Sequence, residues 1–196
     1  MSEYSLNHGL PFLTGMAEMI NPAGHASFAE SNAKWINACI LIGSGIFVFG
    51  LVVAAVFAPE WRVLHALQAL IYVAVVGLTR RKSAYGFGAG VGVAVFWNSI
   101  GIFSSTLILE GVKDLWATIR TGSAPRPDLL LQLLAFGGHI LIIVACLVGF
   151  FRTRPGKRQW GQFVAGGSLV IGYLVVIVFS AGPPSAVALF RRVFGL

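Results

Sequence analysis

Acidic residues are scarce in this chain and cysteine is nearly absent. Only 7 of the 196 residues are Asp or Glu, and only 2 are cysteine. Charged residues together make up 11%. No Asp, Glu, Lys or Arg falls in the middle of any long apolar stretch. Each shortage excludes a class of chemistry. A retinal-type protein needs a lysine inside the membrane, and a proton-coupled carrier usually relies on a buried carboxylate. Cys39 and Cys146 are too few for a disulfide framework or a zinc set, so each is expected to be a small apolar packing residue. No HExxH occurs, which removes a zinc metalloprotease. Gly43-Ser44-Gly45 does not complete the GxSG pattern of an intramembrane serine protease. The first residues are not basic, and Met1–Asn32 is interrupted by Pro11 and Pro22, so no cleavable signal peptide is expected.

What fills the chain is apolar. Hydrophobic residues are 57%, gathered into five stretches: Trp35–Phe57, Glu60–Leu78, Tyr85–Ile108, Leu129–Phe151 and Gln162–Ala181. A helix needs about 20 mostly apolar residues, at ~1.5 Å each, to cross a bilayer. The expected fold is therefore all-α, a polytopic membrane protein with five transmembrane helices and short amphipathic N- and C-terminal helices. It divides into an N-terminal interfacial segment (1–34), the bundle (35–181) and a C-terminal interfacial helix (182–196).

The basic residues set the expected orientation. Arg80-Arg81-Lys82 and Arg152 to Arg158 hold seven of the 14 Lys and Arg, in two tight loops on one side, and Lys34 adds an eighth. The positive-inside bias puts that side, with the N-terminus, in the cytoplasm. A bacterial inner membrane is the expected location. A net charge of +7 is not read as nucleic-acid binding, because the charges cluster at span ends, where they meet lipid head groups.

Local signals mark boundaries. Ser27 to Glu30 fits a capping box, Pro59 suits a first helical turn, Asp128 is placed to cap the fourth span and Gly122 to end an extension of the third. That extension, Glu110–Thr121, reads as an external amphipathic segment, and Pro11–Ile20 and Ser185–Leu196 read as interfacial ones. Each of the two basic loops leads into Lys-x-x-aromatic-Gly (Lys82 to Gly86, Lys157 to Gly161), a faint sign of duplication.

Two sets of residues are candidates for function. Gly86, Gly88, Gly90 and Gly92 form two overlapping GxxxG pairs, expected to pack helices within the bundle or between protomers. They do not make a dinucleotide fingerprint, since position 91 is Val. Among the polar side chains inside the spans, His65, Gln68, Asn98, His139 and Tyr173 are the candidates for chemistry. Counted from the basic loops, His65, Asn98, His139 and Tyr173 fall ~20–24 Å deep, in one layer. That layer is expected to be interhelical hydrogen bonding, a small-molecule or quinone-like site, or a bis-histidine haem b held by His65 and His139. No cofactor is the first expectation and haem the alternative. No catalytic residue or metal set is expected. The chain reads as a subunit or assembly partner of a larger membrane complex. The alternatives are a small homo-oligomeric transport or binding protein and a haem-bearing electron-transfer anchor. Its expected partners are lipid and other membrane subunits or copies of itself.

Overall fold

The computed structural model describes residues 22–104, 107–124 and 126–195. The chain divides into two compact units, Met1–Lys34 and Trp35–Leu196. Among the described residues every regular element is helical: α1 (Pro22–Phe57), a 3₁₀ turn (Pro59–Trp61), α2 (Arg62–Arg80), α3 (Ala84–Ser104), α4 (Leu107–Thr121), α5 (Pro127–Arg152), α6 (Lys157–Ala181) and α7 (Pro184–Phe194). Five stretches are long and apolar enough to span a bilayer: Lys34–Phe57, Pro59–Arg80, Ala84–Phe103, Pro127–Arg152 and Lys157–Ala181. The protein is an all-α membrane protein. The expected amphipathic segment Pro11–Ile20 lies outside the described residues.

Helix α3 is the hub of the larger unit. Of its span, 61% is buried, against 22% for the spans of α1 and α6. Its glycines explain why. Successive helical residues turn by about 100°, so Gly86 and Gly90 fall on one stripe while Gly88 and Gly92 fall on nearly the opposite one. A Cβ on Gly86 would lie 2.5 Å from Leu78 Cβ on α2, and one on Gly90 would lie 2.6 Å from Cys146 Sγ on α5. On the other stripe, a Cβ on Gly88 would overlap the Phe163 carbonyl of α6, and one on Gly92 would lie 2.8 Å from Gly167 Cα. Two GxxxG pairs thus serve two interfaces of one helix, inside the protomer. Close backbone contact matters here because lipid supplies no hydrophobic drive between helices. The pairs Gly88–Phe163 and Gly92–Gly167 are both 75 residues apart, the separation of Lys82 and Lys157, so α3 and α6 run side by side at equal depth.

Helix α1 crosses α5 through a second glycine pair. A Cβ on Gly43 would lie 2.6 Å from the Gly138 oxygen, and one on Gly138 would lie 3.1 Å from the Gly43 oxygen. Lys82 and Arg154, in the two basic turns, sit at φ 54° and 51°. At the other end, α7 folds back over the bundle. Phe190 rests 6.1 Å from Phe96 and 5.3 Å from Phe179, ring to ring, and is buried with Ala186, while Arg191 and Arg192 stay exposed. One face of this tail is therefore covered by α3 and α6 of its own chain.

Two boundary expectations are corrected. Helix α1 is already helical at Pro22, so Ser27 lies within it rather than at its cap. Arg126, not Asp128, precedes α5; Asp128 is the second helical residue and pairs with Arg126. The chain is helical up to Ser104 and again from Leu107, and residues 105 and 106, within the expected third span, lie outside the described residues. Helix α4 does not bury its apolar face on the bundle: Gly111 meets Leu129 and Leu133, Asp114 is buried, and Val112, Leu115, Trp116 and Ile119 are exposed. Gly122 does end this helix, at φ 71°.

Candidate functional site

Polar side chains of three spans meet at His139 of α5. Its Nδ1 lies 3.0 Å from Asn98 Oδ1 on α3, and its Nε2 lies 2.7 Å from the Tyr72 hydroxyl on α2. An amide oxygen only accepts, so Nδ1–H donates to Asn98. In the neutral ring Nε2 then carries a lone pair to which Tyr72 O–H donates, so each ring nitrogen has one partner. All three side chains are buried: Tyr72 is 1% exposed, His139 2% and Asn98 7%.

Aromatic rings close the remaining side. Phe47 of α1 stands 4.2 Å from the His139 ring, 4.7 Å from Tyr72 and 6.4 Å from Trp97, centroid to centroid. Helix α1 can bring Phe47 here because Gly43, one turn earlier, lets its backbone touch Gly138, the residue before His139. Among the described residues Asn98 Nδ2 and Trp97 Nε1 are buried with no hydrogen-bond partner. The cluster is thus an aromatic box around one histidine with both ring nitrogens engaged.

The five residues singled out from the sequence do not all converge. Asn98 and His139 do, through a direct bond. His65 is half-buried and sits one layer away against Trp61, ring centroids 5.7 Å apart. Gln68 is buried on α2. Tyr173 is 37% exposed and donates from its hydroxyl to the Leu67 carbonyl at 3.3 Å, tying α6 to α2. Tyr72, which depth counting passed over, supplies the third member. The signal was present: His65, Gln68 and Tyr72 are spaced i, i+3, i+7 and share one stripe of α2.

A haem bridging His65 and His139 needs a free imidazole nitrogen on each. Both nitrogens of His139 are committed, Phe47 covers its ring, and among the described residues no hydrogen bond or ring contact joins it to His65. The residues as arranged do not fit the group.

Two apolar grooves flank the bundle. One, of about 350 Å³, lies between α2 and α6 and includes Tyr85 and Tyr173 in its walls. The other, of about 710 Å³, lies between α1 and α5, with Phe47 in its wall and Asp128 and Gln132 among its lining residues. Compared with protein-family models, with curated proteins and with solved structures, the chain matches none of them.

Proposed function

We propose that this chain is a non-catalytic subunit of a larger membrane assembly rather than a carrier. The buried cluster at His139 carries this reading. A carrier must offer its polar groups to water from at least one side. Here both ring nitrogens of His139 are engaged by Tyr72 and Asn98 beneath Phe47, so a solute finds no free donor or acceptor on the imidazole, and the open donors, Asn98 Nδ2 and Trp97 Nε1, are buried. Retained polar groups of this kind fix which helices meet and in what register, for a modest gain per bond. The positive-inside bias of the two basic loops supports a cytoplasmic N-terminus, and a bacterial inner membrane suits this orientation.

The partner-facing element in this reading is α4. It turns Gly111 and Asp114 to α5 and leaves Val112, Leu115, Trp116 and Ile119 exposed, with Lys113 and Arg120 between them. Arg120 stacks over the Trp116 ring at 4.7 Å, so the exposed indole is held in place beside a positive charge. Aromatic and arginine side chains are enriched at the centres of protein interfaces. The test is site-specific photo-crosslinking in native membranes, with the photoreactive residue at Trp116 or Ile119. A discrete protein adduct of one mass is expected. Adducts to lipid alone, with the chain migrating as a monomer in mild detergent, would overturn the proposal.

A further inference from the structure

The groove between α1 and α5 has a definite origin. The two helices are pinned where Gly43 meets Gly138 and part beyond that point, toward Phe57 and Pro127. The wedge so formed holds about 710 Å³, within the ~300–1,000 Å³ of ligand pockets in general. Its walls are Phe47, Gly50, Ala54, Leu131 and Ala135, all apolar. It lies between two spanning helices, so its occupant enters sideways from the hydrocarbon and never crosses water. Phe47, resting on His139, stops the groove short of the polar cluster.

All the charge is at one end. Asp128 and Gln132, on the first two turns of α5, also line the groove. Arg126 binds both oxygens of Asp128, through Nη2 at 2.9 Å and Nε at 3.2 Å. Both side chains are just over half exposed, and the carboxylate beside it holds the Arg126 guanidinium above its ordinary range. From Asp128 to Ala135 the groove runs seven residues, or ~10 Å, two-thirds of a ~15 Å leaflet. An apolar trough of that length ending in a mixed-sign pair has the pattern of an amphiphile with a hydrocarbon chain and a zwitterionic head.

The charges of the whole chain separate this head from an anionic one. The two loops Arg80 to Lys82 and Arg152 to Arg158 carry seven basic residues and no acid. The opposite end of the bundle mixes signs: Arg62, Lys113, Arg120, Arg126, Arg191 and Arg192 with Glu60, Glu110, Asp114 and Asp128. An anionic head is drawn to the first end. A head bearing both a phosphate and an ammonium group is matched by the second. We propose that the α1–α5 groove is a binding site for one acyl chain of a phosphoethanolamine lipid. The ammonium sits at Asp128, the phosphate at Arg126 and the chain along Gly50 and Ala54 to Phe47. This site is independent of the assembly proposed above.

The test is native mass spectrometry of the purified full chain, titrated with phosphatidylethanolamine or with phosphatidylglycerol of the same acyl chains. The wild type should retain the ethanolamine lipid better, by up to about fivefold, the range of one exposed charge contact. Gly50→Phe places a ring in the groove from a position where nothing lies within 4 Å of a Cβ, and should abolish retention. Gly45→Phe, on the same helix but off the groove and equally unobstructed, should leave it unchanged. Asp128→Asn should make the two lipids equal. Equal retention by the wild type, or full retention by Gly50→Phe, overturns the proposal. A protein adduct lost in Gly50→Phe, with neither lipid retained, overturns it in favour of a partner helix. Should Gly50→Phe fail to fold, an unchanged preference in Asp128→Asn overturns it.

Discussion

Alanine at each glycine should change stability with opposite signs, depending on what its methyl group meets. In an open helical position, Gly→Ala gains about 0.8–1.0 kcal/mol of propensity. Gly45 and Gly172 are exposed, with nothing within 4 Å of an added Cβ, so Gly45→Ala and Gly172→Ala should be neutral or stabilising by up to ~1 kcal/mol. At Gly92 the methyl would stand 2.8 Å from Gly167 Cα and 2.9 Å from its oxygen. At Gly88 it would overlap the Phe163 carbonyl and stand 2.9 Å from Phe163 Cα. Backbone cannot rotate away, so α3 and α6 must separate along their whole contact. Overpacking costs ~1–3 kcal/mol even where side chains can adjust, and here they cannot. Gly88→Ala and Gly92→Ala should therefore lose at least ~1 kcal/mol net of the propensity gain. Gly90→Ala should fall between, because its obstacles are the side chains Cys146 Sγ at 2.6 Å and Val75 Cγ1 at 3.1 Å. Gly90→Leu goes beyond that space and should disrupt assembly of the bundle.

The assay is reversible unfolding in mixed detergent micelles, repeated over a range of protein concentrations. Intramolecular packing gives shifts that do not depend on concentration. Equal stability for Gly88→Ala, Gly92→Ala and Gly45→Ala would refute the packing argument. A loss seen only on dilution would place the glycine stripe between protomers instead.

Three further outcomes are expected. Tyr72→Phe leaves the His139 lone pair without a donor and should cost about 0.6–1.7 kcal/mol, the range of interhelical hydrogen bonds in membranes; the same unfolding assay reads it, and no loss would sink the assigned bond. In a double-mutant cycle, Tyr72→Phe and Asn98→Ala should be non-additive, since both act on one imidazole; strict additivity would show that the two bonds are not coupled through His139. Lys82→Gly and Arg154→Gly should each stabilise by about 1 kcal/mol, because a side chain in the left-handed region costs ~1–2 kcal/mol and glycine pays little there; a destabilisation would mean that the two basic side chains do more than turn the chain.

How much of this was legible in the sequence follows from what bilayer geometry constrains. The spans were readable to within a few residues at most ends, Trp35–Phe57 against Lys34–Phe57 and Leu129–Phe151 against Pro127–Arg152. Hydrocarbon thickness fixes length, and length is a count. Depth is also a count, and it correctly put Asn98 and His139 together. It could not say which way a side chain leans or faces. Tyr72 lies eight residues from Arg80, ~12 Å deep, against ~20 Å for His139, so counting alone left it out. Tyr72 has a long side chain, and its hydroxyl reaches His139 Nε2. His65, near the outer edge of the layer, sits against Trp61 instead. Tyr173 shares the depth and misses by rotation about α6, its hydroxyl going to Leu67. The groove was not legible at all. It exists because one glycine contact, Gly43 on Gly138, sets where two helices touch and hence where they part, and no periodicity in either helix records the angle between them.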